Sequence, residues 1–102
     1  MDDDTFENLE IWREAIELAA RVYELFLGCR DFEFRGQIQA AAASVSNNIA
    51  EGYERDSNPE FIRFLFIAKG SCGEVRSQAY LARRIKLLDE ARAGELIAEA
   101  KR

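Results

Sequence analysis

The side chains best equipped for chemistry gather in mid-chain. In "SVSNNIAEGYER", residues 44–55, Ser44, Asn48, Glu51 and Arg55 follow Gln37 at helical steps and form one polar ridge. A second cluster, Ser71, Glu74 and Gln78, has the same spacing later in the chain. Glu51 and Glu74 are a candidate carboxylate pair, able to perturb each other's protonation or to hold a divalent cation. The chain has no histidine, which removes Ser-His and Cys-His nucleophilic systems and the Glu-x-x-His pairs of di-iron bundles. Ser and Asn are poor mid-helix surface residues, because their side chains compete for backbone hydrogen bonds. The favoured reading is therefore a half-buried hydrogen-bonded seam, with Ser44, Asn48 and Glu51 facing Ser71 and Glu74. Such a seam adds little stability. It selects register, because a slipped partner strands buried polar groups at about 1–3 kcal/mol each.

The elements that carry these groups are helical. One proline and six glycines occur, and apolar residues recur at steps of three and four. Asp4 and Glu7 have capping-box spacing. A stripe of Phe6, Leu9, Trp12, Ile16, Ala19, Val22, Tyr23 and Phe26 then predicts a first helix over about 5–27, with Gly28 as its stop. Phe34, Ile38, Ala41, Val45, Ile49 and Tyr53 predict a second over 32–55, thin at Ala40 to Ala43. "DSNPE" breaks the chain and restarts it, with Ser57 or Asn58 as cap and Pro59 in the first turn. The third helix, about 59–87, carries two stripes. Phe61, Leu65, Ala68, Cys72, Val75, Ala79 and Ala82 form one; Phe64, Ile67, Ser71, Glu74, Gln78, Leu81, Ile85 and Leu88 form the other. Two stripes predict burial on two sides, inside a bundle and against another subunit. Gly70 and Gly73 cost helix propensity, so something is expected to pass close to that surface. Asp89 caps a last helix over about 90–102, with Leu96, Ile97 and Ala100 as its apolar edge. Short connections make neighbours antiparallel. The expected fold is all-α, one domain, an antiparallel up-and-down four-helix bundle.

At 102 residues the chain is one domain, small enough that oligomerisation is a natural aid to stability. The acidic start "MDDDTFENLE" is neither a signal nor a transit peptide, and no run is long enough to span a bilayer, so the expected location is cytoplasmic. Cys29 and Cys72 read as reduced core thiols. Net charge is −5, unevenly spread: residues 1–60 hold five Arg against fourteen acids, and residues 61–102 hold nine Lys and Arg against five. The acidic half argues against a general nucleic-acid coat. The basic half leaves a stripe of Lys69, Arg76 and Arg83 at seven-residue spacing, with Arg84 and Lys86 beside it, as the candidate phosphate contact.

"FENLEIWREAIELAARVYEL", "SVSNNIAEG" and the run from Glu60 through Phe61, Phe64, Leu65, Ala68, Gly70 and Ser71 to Glu74 together resemble the four-helix bundle protein family. That family includes the rRNA intervening-sequence proteins and the accessory variability proteins of diversity-generating retroelements. The resemblance covers about 6–88 and implies a four-helix bundle assembled as a ring-like homopentamer. It implies no catalytic residues. Among the retroelement members it implies binding of nucleic acid and a reverse transcriptase. Two departures from the pattern stand out. Gln39 and Ala40 stand where members often carry two basic residues, which removes cationic charge from a phosphate-facing surface, and Ser46 stands where a proline is common.

Three functions follow as expectations. The first is a non-enzymatic oligomeric scaffold that docks RNA, DNA or a nucleic-acid-processing partner through the basic stripe. The second is an acidic protein–protein adaptor with no nucleic-acid role. The third is a carboxylate metal-binding bundle around Glu51 and Glu74. The first is favoured, with no cofactor, metal or small-molecule substrate expected.

Overall fold

In the computed structural model, which describes residues 5–101, a short 3-10 turn, Phe6–Asn8, precedes four α-helices: α1 (Glu10–Leu25), α2 (Phe32–Glu54), α3 (Asn58–Arg84) and α4 (Glu90–Lys101). Among the described residues there is no strand. Each helix packs on its neighbours in sequence, and α4 closes the ring against α1, while the diagonal pairs do not meet. The result is an up-down-up-down bundle measuring 44 × 25 × 22 Å. The long dimension matches α3, whose 27 residues rise about 40 Å.

The helix starts follow local chemistry. Asp31 accepts a hydrogen bond from the Phe34 amide at 3.1 Å and opens α2. Ser57 caps α3, with Pro59 in its first turn, and Glu60 adds negative charge at the positive end of the helix dipole. The Asp89 carboxylate accepts from the Arg92 amide at 2.8 Å and opens α4. The expected start of α1 differs. Asp4 lies outside the described residues. The 3-10 turn intervenes, and α1 begins after Leu9 with no side-chain cap.

α3 stops at Arg84, three residues before its expected end. The Leu87 amide bonds to the Ala82 carbonyl at 2.8 Å and the Lys86 amide to the Arg83 carbonyl at 3.2 Å. That pair is a Schellman closure, and it puts Lys86 in the left-handed region at φ 66°. A lysine there gave no sequence signal of a stop.

The core is filled by Val22, Phe26, Ile38, Val75 and Leu96, all fully buried, with Ala42, Ala79, Ala82 and Ala93 setting short distances between helices. Phe26 and Phe34 meet with ring centroids 5.7 Å apart at the α1–α2 end. The buried face of α1 is turned from the expected stripe. Ala15, Leu18 and Val22 are buried, whereas Ile16 and Tyr23 are exposed, because Leu18 and Phe26 fix the phase on the 15–18–22–26 row. At the α2–α3 crossing Gly52 is required. A Cβ there would lie 2.5 Å from the Phe64 Cβ.

Candidate functional site

The seam forms in the middle of the α2–α3 contact. Ser44 Oγ lies 2.9 Å from Ser71 Oγ, the one side-chain hydrogen bond found between these two helices' centres. Asn48 donates from Nδ2 to the Ser44 carbonyl at 2.8 Å and to Ser44 Oγ at 2.9 Å. Ser44 Oγ thus accepts from Asn48 and shares a hydrogen bond with Ser71 in which either hydroxyl can donate, so the three side chains form one chain of contacts. Ser46 is buried and donates to the Ala43 carbonyl at 3.2 Å. Ser44, Ser46, Asn48 and Ser71 are therefore bonded in mid-helix, whereas Asn47 is exposed.

The carboxylates do not join them. Ser44 opposite Ser71, and Gly52 against Phe64, fix the antiparallel register. In that register Glu51 stands level with Phe64, and Glu74 level with Ala41. About ten residues of rise, on the order of 15 Å, separate the two glutamates along the bundle. Both are exposed. Glu51 pairs with Arg55 at 2.8 Å on its own helix. The expected facing of Glu51 and Glu74 is thus corrected: helix midpoints align, but these residues sit on opposite sides of the midpoint. Among the described residues no three His, Cys, Asp or Glu side chains converge as a metal-holding group.

Arg55 and Arg63 serve the α2–α3 turn. Their guanidinium carbons lie 5.0 and 4.6 Å from the centroid of the Phe64 ring, and both reach Glu60, at 3.6 and 3.2 Å. The Arg63 hydrogen bond holds the Glu60 carboxyl below its ordinary range. These pairs are exposed, so their contribution is small.

The basic stripe divides. Lys69 is exposed and Arg76 half-buried, and among the described residues neither has an acid within ion-pair distance. Arg83 lies over the Tyr80 ring at 5.1 Å and reaches Glu90 at 3.8 Å. Arg84 is exposed on the last turn of α3. Lys86 lies past the helix end, off the stripe.

The second stripe of α3 is mostly outside. Phe64, Ser71 and Leu88 are buried, but Ile67, Leu81 and Ile85 are 40%, 48% and 48% exposed. Beside them Ile62, Phe66 and Tyr80 are also exposed, at 53%, 67% and 48%. Gly70 and Gly73 lie between these side chains, with nothing within 4 Å of a Cβ placed on either. The outer face of α3 thus carries apolar side chains toward both ends, with Gly70, Glu74 and Ser77 exposed between them. The series Phe66, Gly73, Tyr80, at seven-residue intervals, was the unread signal for it.

Cys29 and Cys72 are free and half-buried. Burial pushes the Cys72 thiol up in pKa, opposed by the nearby Arg76 charge. Among the described residues no helix is long and apolar enough to cross a membrane.

The family model described as "23S rRNA-intervening sequence protein" matches residues 7–102. A crystal structure of a protein of unknown function from the S23 ribosomal protein family of Bacteroides thetaiotaomicron has the same fold. Its TM-score is 0.82 at 21% identity, over 89% of this chain and 88% of that one. No match was found among curated proteins.

Proposed function

The chain belongs to the 23S rRNA-intervening sequence protein family, and on that footing we propose that it is a non-enzymatic scaffold that assembles with copies of itself through the outer face of α3. The observation that carries this reading is the exposed row of Ile62, Phe66, Tyr80, Leu81 and Ile85 around the open Gly70 and Gly73. Glycines on an exposed helix face cost about 1 kcal/mol each against alanine, a cost that close approach of a second helix offsets. A small domain with several exposed apolar side chains along one helix gains stability by covering them. The family resemblance adds the stoichiometry, a homopentameric ring. The seam of Ser44, Asn48 and Ser71 belongs to the interior of each subunit in this reading and sets its register.

Of the two binding roles expected from the sequence, the protein-facing one has more support. Arg83 is turned to Glu90 and Lys86 is off the helix face, which leaves Lys69, Arg76 and Arg84 for phosphate on a chain of net charge −5. Light scattering at rising salt separates the roles. Assembly through an apolar face persists as salt rises, whereas phosphate contacts are lost steeply. A particle of single-chain mass at every concentration would reject the scaffold. Particles that form only with added RNA and dissolve at moderate salt would favour the nucleic-acid role instead.

A further inference from the structure

α1 has an uncovered face of its own. Its buried row runs through Ala15, Leu18 and Val22, while Ile16, Ala20, Tyr23 and Leu27 are exposed at steps of four, three and four. Leu9 and Arg13 extend that exposed row toward the start of α1. The outer face of α3 repeats the same steps through Phe66, Gly70, Gly73, Ser77, Tyr80 and Arg84. Each row has the heptad spacing of a seam between two helices.

The two seams carry opposite charge on their flanks. Glu10, Glu17 and Glu24 each follow a seam residue of α1, seven residues apart. All three are exposed, and among the described residues none has a cation within ion-pair distance. Lys69, Arg76 and Arg83 each precede a seam residue of α3, again seven apart. Lys69 and Arg76 also lack a partner among the described residues, and Arg83 reaches Glu90 only at 3.8 Å.

We infer that the outer seam of α3 in one copy docks, in parallel, on the α1 seam of the next copy, with Lys69 beside Glu17 and Arg76 beside Glu24. This rests on the self-assembly proposed above and identifies the surface that receives α3. The charges set the direction. In a parallel pair the flank before the seam of one helix meets the flank after the seam of the other, which joins the cations of α3 to the acids of α1. The same register lays Ile16 over the open Gly73 and brings Leu9 to Phe66 and Tyr23 to Tyr80.

A parallel contact also allows closure. α1 and α3 are diagonal in the up-down-up-down bundle and run the same way, so every copy keeps one direction. The Phe26–Phe34 contact puts Ile16 level with Ser44, and Ser44 meets Ser71. Gly73 is two residues beyond Ser71, about 3 Å of rise. Successive copies are therefore related by rotation with little climb, the condition for a ring rather than a filament.

Sedimentation velocity on the nuclease-treated full chain tests the contact. Tyr23→Asp and Phe66→Asp each spoil one half of it and should each sediment as a single chain. Mixed in equal amounts at high concentration, they should form a two-chain particle and nothing larger, because one intact α3 seam meets one intact α1 seam. Lys69→Glu with Arg76→Glu should weaken assembly at least about tenfold, and so should Glu17→Lys with Glu24→Lys; all four changes in one chain should restore it to within about threefold of the wild type. Circular dichroism should show every variant as helical as the wild type. A Tyr23→Asp chain that assembles as the wild type does overturns the inference and leaves self-assembly standing, with two α3 faces meeting each other. A mixture without the two-chain particle, or four charge changes no better than either pair, overturns it in the same way. A wild type that stays a single chain removes both the contact and the self-assembly on which it rests.

Discussion

Gly52→Ala and Gly36→Ala should move stability in opposite directions, although both put a methyl group on the same helix. In an ordinary helix position alanine is favoured over glycine by about 1 kcal/mol. At Gly36 a new Cβ meets nothing within 4 Å, so Gly36→Ala should gain about that amount. At Gly52 the new Cβ would lie 2.5 Å from Phe64 Cβ, 3.2 Å from Phe64 Cγ and 3.3 Å from Phe61 Cδ1. None of these is the far end of a flexible chain, so α2 and α3 must part by roughly 1 Å to restore van der Waals contact. Overpacking of this kind costs about 1–3 kcal/mol. Parting the helices also stretches the 2.9 Å bond from Ser44 to Ser71, a further loss of about 1 kcal/mol. Set against the propensity gain, the net is a destabilisation of about 1–3 kcal/mol. For a domain of this size that lowers Tm by about 5–15 °C, while Gly36→Ala raises it by a few degrees. Urea titration with thermal melts, both followed by circular dichroism, reads the two variants side by side. A Gly52→Ala protein as stable as Gly36→Ala would refute the close crossing, and with it the register on which the seam is placed.

Three further outcomes follow from single contacts. Ser44→Ala and Ser71→Ala, alone and combined, should show a coupling of about 1 kcal/mol in a double-mutant cycle read by urea unfolding; additive effects would mean that the two hydroxyls do not bond. Lys86→Gly should stabilise the chain by about 1 kcal/mol, because Lys86 holds φ 66° at the Schellman position and glycine does so without steric cost; an unchanged urea midpoint would place the end of α3 elsewhere. Gln78→Met should be neutral or stabilising by up to about 1 kcal/mol, because the buried Gln78 Oε1 accepts no hydrogen bond from the described residues and methionine keeps the shape; a loss above about 1 kcal/mol in thermal melts would show that the amide has a partner.

How far the sequence foretold these features depended on whether the cause was local. "DSNPE" marked the break between α2 and α3, because a capping serine and an N-terminal proline act on the residues beside them. Asp89 marked the start of α4 for the same reason. The seam was legible in its hydroxyls and amide, since serine and asparagine in mid-helix need a partner and Ser44, Asn48 and Ser71 supply one another. What failed needed register. Mid-helix position alone paired Glu51 with Glu74, but a contact across antiparallel helices holds only when the two numbers sum near that of Ser44 and Ser71. The end of α3 was missed because a lysine, not a glycine, takes the left-handed turn. The phase of α1 was missed because Ile16 and Ala15 are both plausible inward residues, and only packing against α2 and α4 chooses between them. The second stripe of α3 was read as buried against another subunit; within one chain Ile67, Leu81 and Ile85 are exposed, since periodicity shows that a face is apolar and only a neighbour covers it.

Sedimentation equilibrium on the wild-type chain and on Phe66→Asp tests the scaffold reading most directly, since Phe66 is 67% exposed and its replacement leaves the subunit core intact. The reading predicts a wild-type mass several times that of one chain, and a Phe66→Asp protein that sediments as a single chain with unchanged helicity. A wild-type protein that stays a single chain at high concentration, or a Phe66→Asp protein that assembles as the wild type does, would contradict it.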